Sequence, residues 1–250
     1  MIKGMIIMLQ VTYFHHSGFM VETEKHCLIF DYFTENEKYN FINISKYSDK
    51  KIFVFVSHFH QDHYDRVIFE WQKTIPEIQY ILSDDVTPLR MAQNVHKVHF
   101  CNTYHIDDIV VETFHSNDEG VAFLVNADNK IIYHAGDLNW WHWNGESDNF
   151  NKSIAGMYKK EIDKMKNVTI DVAFVPVDPR LQEHYILGLD YIMKTVTVKK
   201  VFPMHFWEKY DICNTLQKDE RTTNYRKYVV SISHINELFS ITEGEVSYEH

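Results

Sequence analysis

The stretch "SHFHQDHYD", residues 57–65, follows directly on the apolar run "KIFVFV" at residues 51–56. It sets three imidazoles and two carboxylates within nine residues. A β-branched and aromatic run of this kind reads as a buried strand, so the polar string closes that strand at its C-terminal end. In an extended chain alternate side chains share a side, which groups His58, His60 and Asp62 and turns His63 in another direction. Neutral imidazoles and a carboxylate are the donor set of Zn²⁺ and similar divalent ions. The competing reading is a solvated loop whose histidines face water. A His-x-His-x-Asp-His string at a strand end favours a metal.

The chain has 250 residues, within what one core can hold, so a single domain over residues 1–250 is expected. Hydrophobic residues make up 45% and charged residues 24%, a globular balance. A formal charge of −10 argues against a surface that coats nucleic acid. Cys27, Cys101 and Cys213 are far apart and form no C-x-x-C pair, which fits a reducing compartment and makes cytoplasm the default. The apolar part of "MIKGMIIMLQ" spans only residues 5–9 and no cleavage site follows, so it reads as a first strand. No apolar run approaches the ~20 residues of a membrane span.

Around the motif, "MLQVTYF", "HHSG" and "FMVETEKHCLIFD" read as strand, turn and strand. Residues 34–48 suggest a short helix, and "YILSDD" and "KVHF" two strands flanking a helix near 86–94. "DDIVVETFH", "GVAFLVNAD" and "KIIYHAGD" form an antiparallel series with a tight turn at residues 127–130. The second half alternates helices at residues 153–166, 183–195 and 214–228 with the strands "IDVAFVPVD" and "KKVFPMH". Strands of both halves end in residues of chemical interest, which favours two sheets with helices outside and a site along one edge.

The string at residues 57–65 resembles the signature of the metallo-β-lactamase superfamily, and "YHAGD", "FPMH" and "LIFD" resemble that family's later motifs. The resemblance implies an α+β fold, an αββα sandwich of two mixed β-sheets with helices on the outer faces. It implies one or two divalent ions, Zn before Mn, Fe or Ni. His58, His60 and a middle histidine would hold the first ion; Asp62, His63 and His205 the second; Asp137 would bridge them, with Asp31 in support. The middle ligand is His115 in "ETFHSNDEG", with His105 and His99 as competitors. "YHAGDLNW" and "PVDPRL" bring the chain nearest to the lactonase-like branch of metal-dependent hydrolases that includes the ascorbate-phosphate lactonases.

Such a centre would offer a metal-bound hydroxide to a small ester, lactone or phosphoester, because a metal lowers the pKa of bound water to about 7. Asp62 and His134 are the candidate proton carriers, His134 equally a strand histidine with a backbone partner. His16, His184 and Arg180 read as ordinary core or surface residues, Arg180 also as a contact for an anionic group. Three indoles in "NWWHWNG", at Trp140, Trp141 and Trp143, are a substrate wall, packing under the next helix, or a contact in a homo-oligomer. The alternative functions are a nuclease or phosphodiesterase of the same fold, disfavoured by the charge, and a metal-binding protein without turnover.

Overall fold

The computed structural model describes residues 9–35, 38–39, 42–88, 91–242 and 245–249. Fourteen strands and three α-helices occur among them: β1 (Leu9–Tyr13), β2 (Phe19–Glu22), β3 (His26–Phe30), β4 (Lys51–Val56), β5 (Gln79–Ser83), β6 (Val95–Val98), β7 (Thr103–Ile106), β8 (Ile109–His115), β9 (Val121–Ala127), β10 (Lys130–His134), α1 (Asp148–Asp163), β11 (Thr169–Pro176), α2 (Leu187–Thr195), β12 (Thr197–Met204), α3 (Asp211–Lys218), β13 (Leu238–Ile241) and β14 (Val246–Glu249). They fall into two compact units, residues 1–98 with 234–250, and residues 99–233. Of the strand expected at residues 5–9, all but Leu9 lies outside the described residues.

The first unit carries an eight-stranded sheet in the order β14-β13-β1-β2-β3-β4-β5-β6. It is antiparallel from β14 to β3 and parallel from β3 to β6. The period-2 pleat, buried on both faces, explains why "IFVFV" after the exposed Lys51 is apolar throughout. Ile52, Val54 and Val56 join Cys27, Ile29, Tyr80 and Leu82 in one cluster. Phe53 and Phe55 point the other way and are equally buried, each contributing roughly 2 kcal/mol of burial free energy. A 3₁₀ segment, Arg66–Lys73, lays Ile68, Phe69 and Trp71 onto the cluster.

Two expected helices of this unit differ. That at residues 34–48 is reduced to one 3₁₀ turn, Ile44–Tyr47, capped by Asn43, with residues 36–37 and 40–41 outside the described residues. Near residues 86–94 the described positions are coil and turn, and 89–90 lie outside them. Pro88 supplies no N–H to a helical ladder there.

The second unit carries a six-stranded sheet, β12-β11-β10-β9-β8-β7, antiparallel from β7 to β10 and parallel from β10 to β12. The β9–β10 turn is the expected tight one, with Asp128 at φ 49° and Asn129 at φ 58°, the left-handed pair of a two-residue hairpin. Helix α1 begins earlier than expected because Ser147 caps it, accepting from the Phe150 N–H. Helix α2 begins later because Gln182, at φ 54° and ψ −126°, breaks the preceding turn. Helix α3 stops at Lys218, since Asp219 is extended, and only short 3₁₀ turns follow to Tyr228. Two mixed sheets with few helices constitute the α+β class expected from the sequence.

Candidate metal centre

In the first unit the strands β3 and β4 run parallel and end side by side, which places Asp31 against the start of the His-rich loop. Asp31, in the left-handed region at φ 43°, accepts from the Ser57 N–H (2.8 Å), from the Ser57 hydroxyl (2.6 Å) and from His63 Nδ1 (2.7 Å). The polarity of this network fixes two tautomers. A carboxylate only accepts, so His63 donates through Nδ1–H and presents its lone pair at Nε2. Because the Ser57 proton points to Asp31, the 2.9 Å contact between Ser57 Oγ and His58 Nδ1 must use a proton from His58, which likewise presents Nε2. His58 Nε2 then faces His60 Nδ1 at 2.9 Å. Asp31 thus ties Ser57 and His63 together at the base of the His-rich loop.

Asp62 follows within the same loop. Burial acts to raise its carboxyl, but the neighbouring imidazoles of His16 and His63 outweigh burial and hold it well below the usual carboxylate range. It is an anion, the form that ligates metal. His16, which the sequence reading treated as an ordinary residue, has its Nε2 3.4 Å from Asp62 Oδ2.

In the second unit three strand ends converge. Asp137 lies three residues after β10, in a turn where the Gly136 N–H donates to His134 Nδ1 at 3.1 Å. His205 follows β12 at φ 66°, with Nε2 3.3 Å from Asp137 Oδ1. Its Nδ1 donates to Asp178 Oδ2 at 2.9 Å, so Nε2 again carries the lone pair. Asp178 follows β11 and is gripped by Arg180 through Nε (2.8 and 3.0 Å) and Nη2 (2.5 Å). Burial works to raise the Asp178 carboxyl, but His205 and Arg180 bring it down to about 2.

Sequence reasoning missed Asp178, although its signal was present: like Asp31 it is an acid that closes an apolar strand. Arg180, half exposed, makes its salt bridge to that acid, and it lies 5.8 Å from the Trp143 ring.

His115 ends β8, where its N–H donates to Glu161 Oε2 and its ring lies 4.2 Å from that of Phe100. Among the described residues it joins no group of three close donors, whereas Asp118 and Asp137 bring carboxylate oxygens within 4.8 Å of each other. His99 and His105, its competitors, belong to the exposed β6–β7 region. The three indoles are held in different ways. Trp141 Nε1 donates to the Asp137 carbonyl (2.9 Å), its ring is parallel to Trp143 (6.0 Å, 8°), and it meets His205 edge-on at 5.4 Å. Asn151 of α1 bonds the Trp143 backbone on both sides, and Trp140 receives Lys159 over its face.

The β-lactamase superfamily domain, as a family, matches residues 10–141, just over half of the chain, and the chain belongs to that family. Its fold is the metallo-β-lactamase fold. The structure superposes on a metallo hydrolase from the hyperthermophilic archaeon Ignicoccus hospitalis with a TM-score of 0.61, at 16% identity over 97% of this chain and 98% of the other. It superposes on the metallo-β-lactamase fold protein YhfI of Bacillus subtilis with a TM-score of 0.57, at 12% identity over 96% and 99%. In sequence, a UPF0173 metal-dependent hydrolase of Korarchaeum cryptofilum is 24% identical over 208 residues, 80% of this chain and 83% of the relative. No helix among the described residues is long and apolar enough to cross a membrane.

Proposed function

We propose that the chain is a metal-dependent hydrolase of a small ester, lactone or phosphoester, built as one domain over both units, across whose boundary the family match runs. His58, His60 and His115 would hold one divalent ion, Asp62, His63 and His205 a second, and Asp137 would be shared. Asp118 competes with His115 for the third position on the first ion. The observation that carries the reading is the orientation of three histidines: His58, His63 and His205 each have Nδ1 committed to Ser57, Asp31 or Asp178, which is how metal-binding imidazoles are held. The name of the Korarchaeum relative supports the same class. Imidazole and carboxylate donors favour zinc, and also accept Mn, Fe or Ni.

When bound, such ions polarise the oxygen of the scissile group and lower the pKa of a water molecule to about 7. The chain's own residues supply the remainder. Asp62, held as an anion, would orient and accept a proton from the attacking water and pass it towards the leaving group. His134 shapes the turn that carries Asp137, its Nδ1 being occupied by the Gly136 N–H. The parallel pair Trp141 and Trp143 forms a flat apolar wall beside His205, and Arg180, half exposed next to Trp143, suits an anionic group on the substrate. Three cysteines far apart in the sequence fit a cytoplasmic enzyme.

The test is a panel of p-nitrophenyl esters, lactones and bis-p-nitrophenyl phosphate. Asp62→Ala and His60→Ala should each lower kcat/KM on the responsive substrate by about 100-fold or more with the fold intact. Full activity in both variants would refute the assignment.

A further inference from the structure

We propose that His16 is itself a metal ligand, adding to Asp62 and His63 an imidazole from the first unit that the ligand set implied by the family resemblance does not contain. The inference rests on the metallohydrolase reading above.

Three observations carry it. The first is distance. His16 Nε2 stands 3.4 Å from Asp62 Oδ2, too long for a strong charge-assisted hydrogen bond of about 2.7–2.9 Å. A tetrahedral ion with bonds of about 2.0–2.1 Å has donor–donor edges of about 3.3–3.4 Å. The pair His205 Nε2 and Asp137 Oδ1 in the other unit, both expected donors, has the same spacing at 3.3 Å. The second is convergence. Ligand atoms of His16, Asp62 and His63 lie within 4.8 Å of one another, and the rings of His16 and His63 stand 5.8 Å apart at 79°.

The third is the cost of the placement. His16 is wholly buried and held at φ 55°, a conformation costing a non-glycine residue on the order of 1–3 kcal/mol. The turn is over-determined to keep it. The His16 N–H donates to the Tyr13 hydroxyl at 2.9 Å, Phe14 N–H donates to Gly18 O, and Gly18 N–H donates to His15 O. A Cβ at Gly18 would stand 2.9 Å from the Asp31 carbonyl oxygen, so the turn is packed on the backbone of the residue that orients His63. A solvent-facing or merely space-filling histidine needs none of this.

The experiment strips the full-length protein with a chelator and titrates it with Co²⁺, reading the visible d–d absorption, for the wild type and for His16→Asn. Asparagine tolerates the left-handed backbone, and an unchanged unfolding temperature of the metal-free variant confirms that it folds. His16→Gly, free of strain at this φ, serves if Asn destabilises. The expected result is a changed d–d spectrum in the variant and a more than 100-fold loss of affinity for one equivalent, beyond the roughly 10–100-fold that loss of a supporting contact brings. An unchanged spectrum overturns the assignment whatever the affinity, since His16 then only positions Asp62. A wild type that binds no Co²⁺ overturns both this proposal and the metallohydrolase reading, whereas a wild type that binds it beside a spectrally identical variant overturns the His16 assignment alone.

Discussion

Asp178 Oδ2 lies 2.9 Å from His205 Nδ1, and the Arg180 guanidinium bonds both oxygens of the same carboxylate. Asp178 thereby has the relation to His205 that Asp31 has to His63, one such pair in each unit. Asp178→Asn keeps the shape but removes the charge that fixes the His205 tautomer. It should weaken Zn²⁺ binding about 10–100-fold in a chelator competition, with Arg180→Ala having a smaller effect in the same direction. Wild-type affinity in Asp178→Asn would show that this carboxylate serves only the fold.

The turn that carries His16 rests on Gly18. A methyl group there meets two backbone oxygens, Asp31 O at 2.9 Å and His15 O at 3.1 Å, neither of which can move without shifting the network around it. Gly18→Ala should cost about 1–3 kcal/mol by overpacking, a fall in Tm of roughly 2–12 °C. Thermal unfolding of the metal-free protein measures it, and an unchanged Tm would mean that the turn is slack.

Away from the site, Asp219 bonds Arg221 and accepts from the Tyr185 hydroxyl at 2.7 Å. The Arg221 hydrogen bond is the chief cause that holds the Asp219 carboxyl well below its usual range, while burial and Asp219 push Tyr185 up to about 12. A depressed acid stabilises the fold above its unfolded pKa of about 3.9, and that contribution fades as pH falls below it. A raised phenol stabilises below its unfolded pKa of about 10, and that contribution is lost as pH climbs from there to about 12. Asp219→Asn should therefore flatten the stability profile at both ends, as urea unfolding across pH would record. Parallel profiles for variant and wild type would contradict it.

The sequence made some parts of this centre legible and hid others, for physical reasons. "KIFVFV" and the string after it are local: one strand and its loop hold His58, His60, Asp62 and His63, so strand periodicity sufficed. Asp137 and His205 entered through the resemblance of "YHAGD" and "FPMH" to family motifs, and each follows an apolar run. Asp178 closes one too, but its partner is 27 residues away, and only strand pairing brings β11 beside β12. His16 was hidden by the backbone, since nothing in "HHSG" declares which histidine takes the positive φ and turns inward. Among the described residues no α-helix forms at residues 34–48 or 86–94, because short polar segments follow tertiary packing rather than propensity and Pro88 removes a backbone donor from the second. The 3₁₀ segment at Arg66–Lys73 escaped notice for the same reason, although Ile68, Phe69 and Trp71 anchor it.

The central claim is that these carboxylates and imidazoles exist to hold catalytic metal. Elemental analysis of protein purified without chelator, paired with hydrolysis assays on the same sample before chelation, after it, and after return of Zn²⁺ or Mn²⁺, tests this most directly. The expected result is one to two equivalents of divalent metal per chain, activity lost with the metal and regained with it. A stably folded protein that contains no divalent metal and takes none up would contradict the account.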